Sequence, residues 1–160
     1  MHTRRLSTLT AVLCLALVAS ATAQVAEDEK IDNRFIRWET HREATDRSRV
    51  ENKPMLIYFT ARWSEYGEKM DRETYGDIRV KRYLNENFTM TTVDIEKLPA
   101  MAKKYGVAGP PALWFLDARG RKLTNVPGFI SPERLLPLLE FIATGAYETR
   151  EYQDWLDERK

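Results

Sequence analysis

The residues best placed to do chemistry are Ser64-Glu65-Tyr66-Gly67. Here an apolar, β-rich run (Met55-Leu56-Ile57-Tyr58-Phe59) gives way, past Trp63, to a helix-period segment opening on a hydroxyl side chain. A serine hydroxyl becomes a nucleophile only beside a base that takes its proton. Beyond residue 23 the chain holds a single histidine, His41, on a polar segment expected to be helical, and no glycine-rich elbow surrounds Ser64. Hydrolase chemistry is therefore not expected. The reading that asks least of Ser64 is helix capping, its oxygen accepting a backbone N–H of the first turn. One histidine and scattered methionines at Met55, Met70, Met90 and Met101 make no ligand spacing, so neither metal nor cofactor is expected, and the methionines read as core filling. Trp63, Tyr66 and Trp114, with Arg62, Glu65 and Glu68 around them, are candidates for an aromatic patch of the kind that anchors protein partners. Tyr66, between Glu65 and Gly67, is the hardest of the three to place in a core; Trp63 and Trp114 read more readily as buried.

The chain has 160 residues, and its start carries Arg4 and Arg5, an apolar run from about Leu9 to Val18, and Ala21-Thr22-Ala23 before Gln24. This pattern predicts a secretory signal peptide over 1–23, cut after Ala23, with an apolar run too short to span a bilayer. No transmembrane anchor is expected after cleavage. Cys14, the sole cysteine, lies inside that run behind Leu13, which fits poorly with lipid anchoring. Cleavage removes two arginines and no acids, taking 25 basic residues to 23 against 24 acidic ones, a net of about −1. A near-neutral, mixed-sign surface argues against nucleic acid or a membrane surface as partner. The remaining length suits one domain, and without cysteine its stability must come from core packing.

Residues 24–34 are charged and aperiodic and read as a flexible leader, followed by an apolar cluster of Phe35, Ile36 and Trp38. Residues 40–52 predict an exposed helix ending before Lys53-Pro54, because the residue before proline avoids helical geometry. Residues 55–60 predict a buried central strand. A helix is expected over 64–74, a second from Asp77 as N-cap with Ile78, Val80, Tyr83 and Leu84 on one side, and a strand over 89–95. Pro99 suits the first turn of a helix over 99–105. Residues 112–116 and 121–126 predict a hairpin around Asp117-Ala118-Arg119-Gly120. Ser131-Pro132-Glu133 should cap a last amphipathic helix, with Pro137 bending or weakening its first turns. Residues 147–160 form a tail with Tyr152, Trp155 and Leu156 at helical spacing, either core or partner site.

Two fragments carry a family resemblance. Phe59-Thr60-Ala61-Arg62-Trp63 followed by Ser64-Glu65-Tyr66-Gly67 resembles the active-site segment of the thioredoxin superfamily, in which aromatic-Ala-x-Trp precedes Cys-x-x-Cys at a helix N-terminus. Lys104-Tyr105-Gly106-Val107-Ala108-Gly109-Pro110-Pro111-Ala112-Leu113-Trp114-Phe115 resembles the same superfamily's strand entry with its cis-proline. The similarity runs from about Phe35 to Tyr147 and is strongest to secreted bacterial thioredoxin-like proteins with an extra N-terminal helix. It implies an α/β thioredoxin-like fold over 35–146, a central mixed sheet flanked by helices, with that extra helix and a short C-terminal helical tail.

The departures from the family pattern set the functional expectation. Cys-x-x-Cys works because the first thiolate is stabilised at a helix N-terminus and the second sulfur resolves the mixed disulfide. Ser64 and Gly67 hold those positions and can do neither, so thiol–disulfide exchange by this chain alone is excluded. Tyr58 aligns with the buried acid of redox-active relatives and cannot serve as a base near neutral pH. In the family the residue before the cis-proline pairs its backbone with an extended segment. Pro110 stands there without an N–H, so one of those two bonds is lost. The resemblance thus implies a periplasmic or secreted, redox-inactive module. It would bind a protein partner or extended peptide of the envelope through Arg62, Trp63, Ser64, Glu65, Tyr66, Gly67, Gly109, Pro110, Pro111 and Ala112. Two other readings stay open: a glutathione- or small-thiol-binding protein using Ser64, and a structural subunit of an envelope oxidoreductase complex.

Overall fold

Five successive apolar or aromatic side chains from Met55 to Phe59 can be buried only by a strand covered on both faces. In a computed structural model that describes residues 35–159, this run is strand β2 (Met55–Thr60), at the centre of a five-stranded sheet. The expected signal peptide, the leader over 24–34 and Lys160 lie outside the described residues.

Chain order is β1 (Trp38–Glu39), α1 (His41–Glu51), β2, α2 (Glu65–Lys69) running on as a π turn (Met70–Thr74), α3 (Ile78–Asn87), β3 (Thr89–Asp94) and α4 (Pro99–Tyr105). Then come β4 (Ala112–Leu116), β5 (Lys122–Pro127), α5 (Pro132–Ala143), a 3₁₀ turn (Ala146–Glu148) and α6 (Tyr152–Asp157). The strand order is β1-β3-β2-β4-β5, with β3 parallel to both β1 and β2, and β4 antiparallel to β2 and β5. Because side chains alternate along a strand, β2 supplies two cores. Leu56 and Tyr58 join Met70, Val80, Leu84, Leu135 and Leu139 under α3 and α5. Met55, Ile57 and Phe59 join Ala44, Ala102 and Tyr105 under α1 and α4.

The helix ends are written locally. Thr40 and Glu43 form a reciprocal capping box on α1, and Asn52 closes that helix in the left-handed region at φ 52°. Asp77 accepts from the N–H groups of Arg79 and Val80 at the start of α3. The guanidinium of Arg79 pulls its carboxyl down to about 2. Pro99 occupies the first turn of α4 as expected.

Strand β1, Ile78 and Ser131 differ from the sequence reading. Strand β1, only two residues long, pairs Trp38 and Glu39 with Met90 and Thr91 and makes the sheet edge where only an apolar cluster was expected. Asn85 pins that segment, accepting from Arg37 N–H at 2.9 Å and donating to the Phe35 carbonyl at 2.7 Å. Ile78 is 60% exposed, because the first residue of α3 lies outside the stripe that Val80 and Leu84 bury. Ser131 holds the N-cap position of α5 without a side-chain bond to the helix N–H groups. The same helix runs through Pro137 to Ala143. The tail is core: Trp155 is buried, with its ring 5.5 Å from that of Phe141.

Candidate functional site

Strand β2 delivers the chain to the carboxyl edge of the sheet, where Arg62 and Trp63 turn it and Ser64 starts α2. Ser64 has extended backbone (φ −83°, ψ 103°) and accepts the Gly67 N–H at 3.0 Å, the capping role expected of it. The same hydroxyl donates to the Pro110 carbonyl at 3.2 Å, so it also ties the helix start to the proline loop. It is buried, at 5% exposure. Neither partner is a base. His41 sits on α1, its imidazole pKa lowered by partial burial and then by the Lys104 ammonium. The Ser64 proton is directed to the Pro110 carbonyl, so a ligand thiolate would have to displace that bond.

Gly67 is closed in as well. A Cβ there would lie 3.0 Å from Thr60 Oγ1 and 3.1 Å from Ser64 Cβ, a close approach that those side chains would have to yield a few tenths of an ångström to admit. The Gly67 carbonyl accepts from Tyr58 Oη at 3.3 Å. On the loop the Pro110–Pro111 peptide is cis, and the Pro111 carbonyl accepts Gly128 N–H at 2.8 Å. Pro111 and Ala112 are buried, the latter paired with Phe59 as β4 begins.

The ten sequence-derived positions therefore divide. Ser64, Gly67, Pro111 and Ala112 are inside and hold the frame, while Arg62, Trp63, Glu65, Tyr66 and Gly109 are exposed and Pro110 half-buried. Trp63 and Tyr66 are each 63% exposed, on either side of Ser64. The core reading of Trp63 is overturned, because β2 ends at Thr60 and the turn carries the indole past the sheet edge. Trp114 packs edge-on to Tyr105 at 5.8 Å and beneath the Lys122 ammonium at 4.9 Å, on the α1/α4 side of the sheet. It is no part of the patch.

Asp71 escaped the sequence reading. It lies in the π turn, two turns beyond Ser64, with its carboxyl against the Tyr58 hydroxyl. Partial desolvation raises its pKa, and the nearby Glu68 adds to the effect. Desolvation raises that of Tyr58 too. On the strand the place of the family's buried acid is held by Tyr58, while this carboxyl arrives from the helix. Asp71 shares its turn with Arg72 and Glu73, all three exposed, so nothing in the local sequence set it apart from its charged neighbours. Among the described residues no cluster of His, Cys, Asp or Glu could hold a metal ion, and no helix is long and apolar enough to cross a membrane.

Ser64→Ala removes the cap and leaves the Pro110 carbonyl without its donor. It should cost about 1–2 kcal/mol in urea denaturation, with Ser64→Thr recovering part of the loss.

A family model described as a thioredoxin-like domain matches residues 41–143. The chain is 25% identical over 130 residues to the disulfide bond reductase DsbH of Chlamydia pneumoniae, covering 74% of this chain and 78% of that one. It is 32% identical over 96 residues to the thiol:disulfide interchange protein DsbD of Campylobacter jejuni, covering 57% of this chain but only 16% of that protein. Among solved structures, a DsbH oxidoreductase superposes with a TM-score of 0.59 at 23% identity, over 72% of this chain and 87% of that one, which is a likeness of fold.

Proposed function

The chain belongs to the thioredoxin-like domain family, and from that premise we propose that it is an envelope module without thiol–disulfide exchange that uses its former active-site face to hold a protein partner. The relatives DsbD and DsbH are named for thiol–disulfide chemistry. This chain has serine and glycine where that chemistry needs two thiols. One observation carries the reading. The Ser64 hydroxyl is spent on Gly67 and Pro110, while Trp63 and Tyr66 beside it stand 63% exposed.

A frame held from inside with aromatics outside is what a binding face requires. Tyr and Trp supply large contact areas at low cost in side-chain entropy and dominate interface energetics. An extended segment of the partner would donate to the second lone pair of the Pro110 carbonyl and lay apolar side chains across Trp63 and Tyr66, with Arg62 and Glu65 at the rim.

The test is a photo-crosslinking residue at Glu65 in the native envelope, with exposed Arg42 on α1 as control. A discrete protein captured only from Glu65, at least about tenfold less in Tyr66→Ala, is the expected result. Equal capture from both positions, or none from Glu65, overturns the reading.

A further inference from the structure

Behind the α2 start, on the β1 side of the sheet, lies a second and separate cleft of about 390 Å³. Trp38, Tyr58, Thr60, Asp71, Lys81 and Thr92 are among its walls, drawn from β1, β2, β3, the π turn and α3. It does not contain Ser64, Trp63 or Tyr66, so it stands or falls independently of the partner-binding face.

Two observations make it a site. First, it carries one acid and one base without a counter-ion: among the described residues Asp71 meets only the Tyr58 hydroxyl, and neither it nor Lys81 is found in an ion pair. Opposite charges left apart on two walls of one cleft suit a ligand that brings both complements. Second, the floor is aromatic and polar together. The Trp38 ring lies 5.9 Å from that of Tyr58 and edge-on to Tyr75 at 5.3 Å, which leaves a half-exposed indole beside Asp71. Indole faces attract ammonium groups as well as aliphatic chains. The π turn, a geometry concentrated at functional sites, brings Asp71 and Tyr75 together here.

We propose that this cleft binds a small zwitterion of the amino-acid type, its ammonium group against Asp71 and its carboxylate against Lys81. The ammonium donates to the Asp71 carboxylate and to Thr60, with the negative charge of Glu68 reinforcing the attraction. The ligand's carbon skeleton covers the Trp38 face.

Isothermal titration of the full chain with L-leucine, isoamylamine (the same skeleton without the carboxylate) and isocaproate (without the ammonium) tests it. L-Leucine is expected to bind, with both single-charge analogues at least about tenfold weaker. Asp71→Asn and Lys81→Met should each weaken L-leucine by a similar factor, and Lys81→Met should leave isoamylamine unchanged. Circular dichroism and the thermal midpoint verify that both variants fold. No heat with L-leucine at millimolar concentration, analogues binding as well as L-leucine, or a Lys81→Met protein that binds L-leucine normally would each overturn the proposal.

Discussion

Gly76→Ala is expected to destabilise the protein by about 3 kcal/mol or more, a large effect for one methyl group. A Cβ at this position would lie 2.0 Å from the Arg72 carbonyl oxygen, a backbone atom that no rotamer change can move. The reason is the π turn. Tyr75 N–H reaches back to the Met70 carbonyl at 2.9 Å, and Gly76 must then turn the chain sharply into the Asp77 cap of α3. Relief would have to unwind that turn and shift Asp71 and Tyr75 with it. Gly109→Ala is the contrast, because nothing lies within 4 Å of its Cβ position. A change within about 0.5 kcal/mol is expected there. Urea denaturation of the two variants checks both values; equal midpoints would show that the close approach at Gly76 is relieved without cost.

The second large effect is at the tail. Trp155→Ala should cost about 3–4 kcal/mol, the range for truncating a buried tryptophan. Its ring packs on Phe141 at 5.5 Å and Tyr152 at 6.3 Å, and the Arg159 guanidinium covers it at 4.3 Å. Helix α6 has only six residues, far too few to hold its shape unaided, so this packing is what keeps it helical. Limited proteolysis gives an independent readout: cleavage within 147–159 should appear at protease levels that leave the unaltered chain intact. If stability and protection are both unchanged, Trp155 contributes nothing to the core and becomes available to a partner.

Both effects depend on contacts that a one-dimensional pattern does not contain. Most of the fold was legible all the same. Met55 to Phe59 could only be a doubly covered strand, Pro99 and Asp77 announced the helices they start, and the two quoted motifs implied the order in which the elements pack. Legibility failed where the determining partner is remote. A two-residue β1 has no periodicity to detect and exists because Met90 and Thr91 present an edge and Asn85 holds Phe35 and Arg37 in place. Trp63 looked like core because tryptophan usually is; its exposure follows from the position of the last β2 residue. The π turn replaced an expected plain helix over 70–74 because the i→i+5 bonding is decided by packing against β2 and α5, not by the propensities of Met-Asp-Arg-Glu-Thr.

What the sequence determined by itself was chemical identity: serine and glycine at the two thiol positions, proline without an N–H before Pro111, and one histidine outside the expected signal segment. Those facts hold whatever the fold, because a hydroxyl cannot become a thiolate and a missing N–H cannot donate. What only the tertiary structure decided was how those groups are used. Ser64 is bound to a carbonyl 46 residues away, Gly67 is enclosed by Thr60, and Asp71 meets Tyr58 across the strand–helix interface. Each of these depends on distances between segments remote in sequence, which are set by the sheet register and the burial of the two cores.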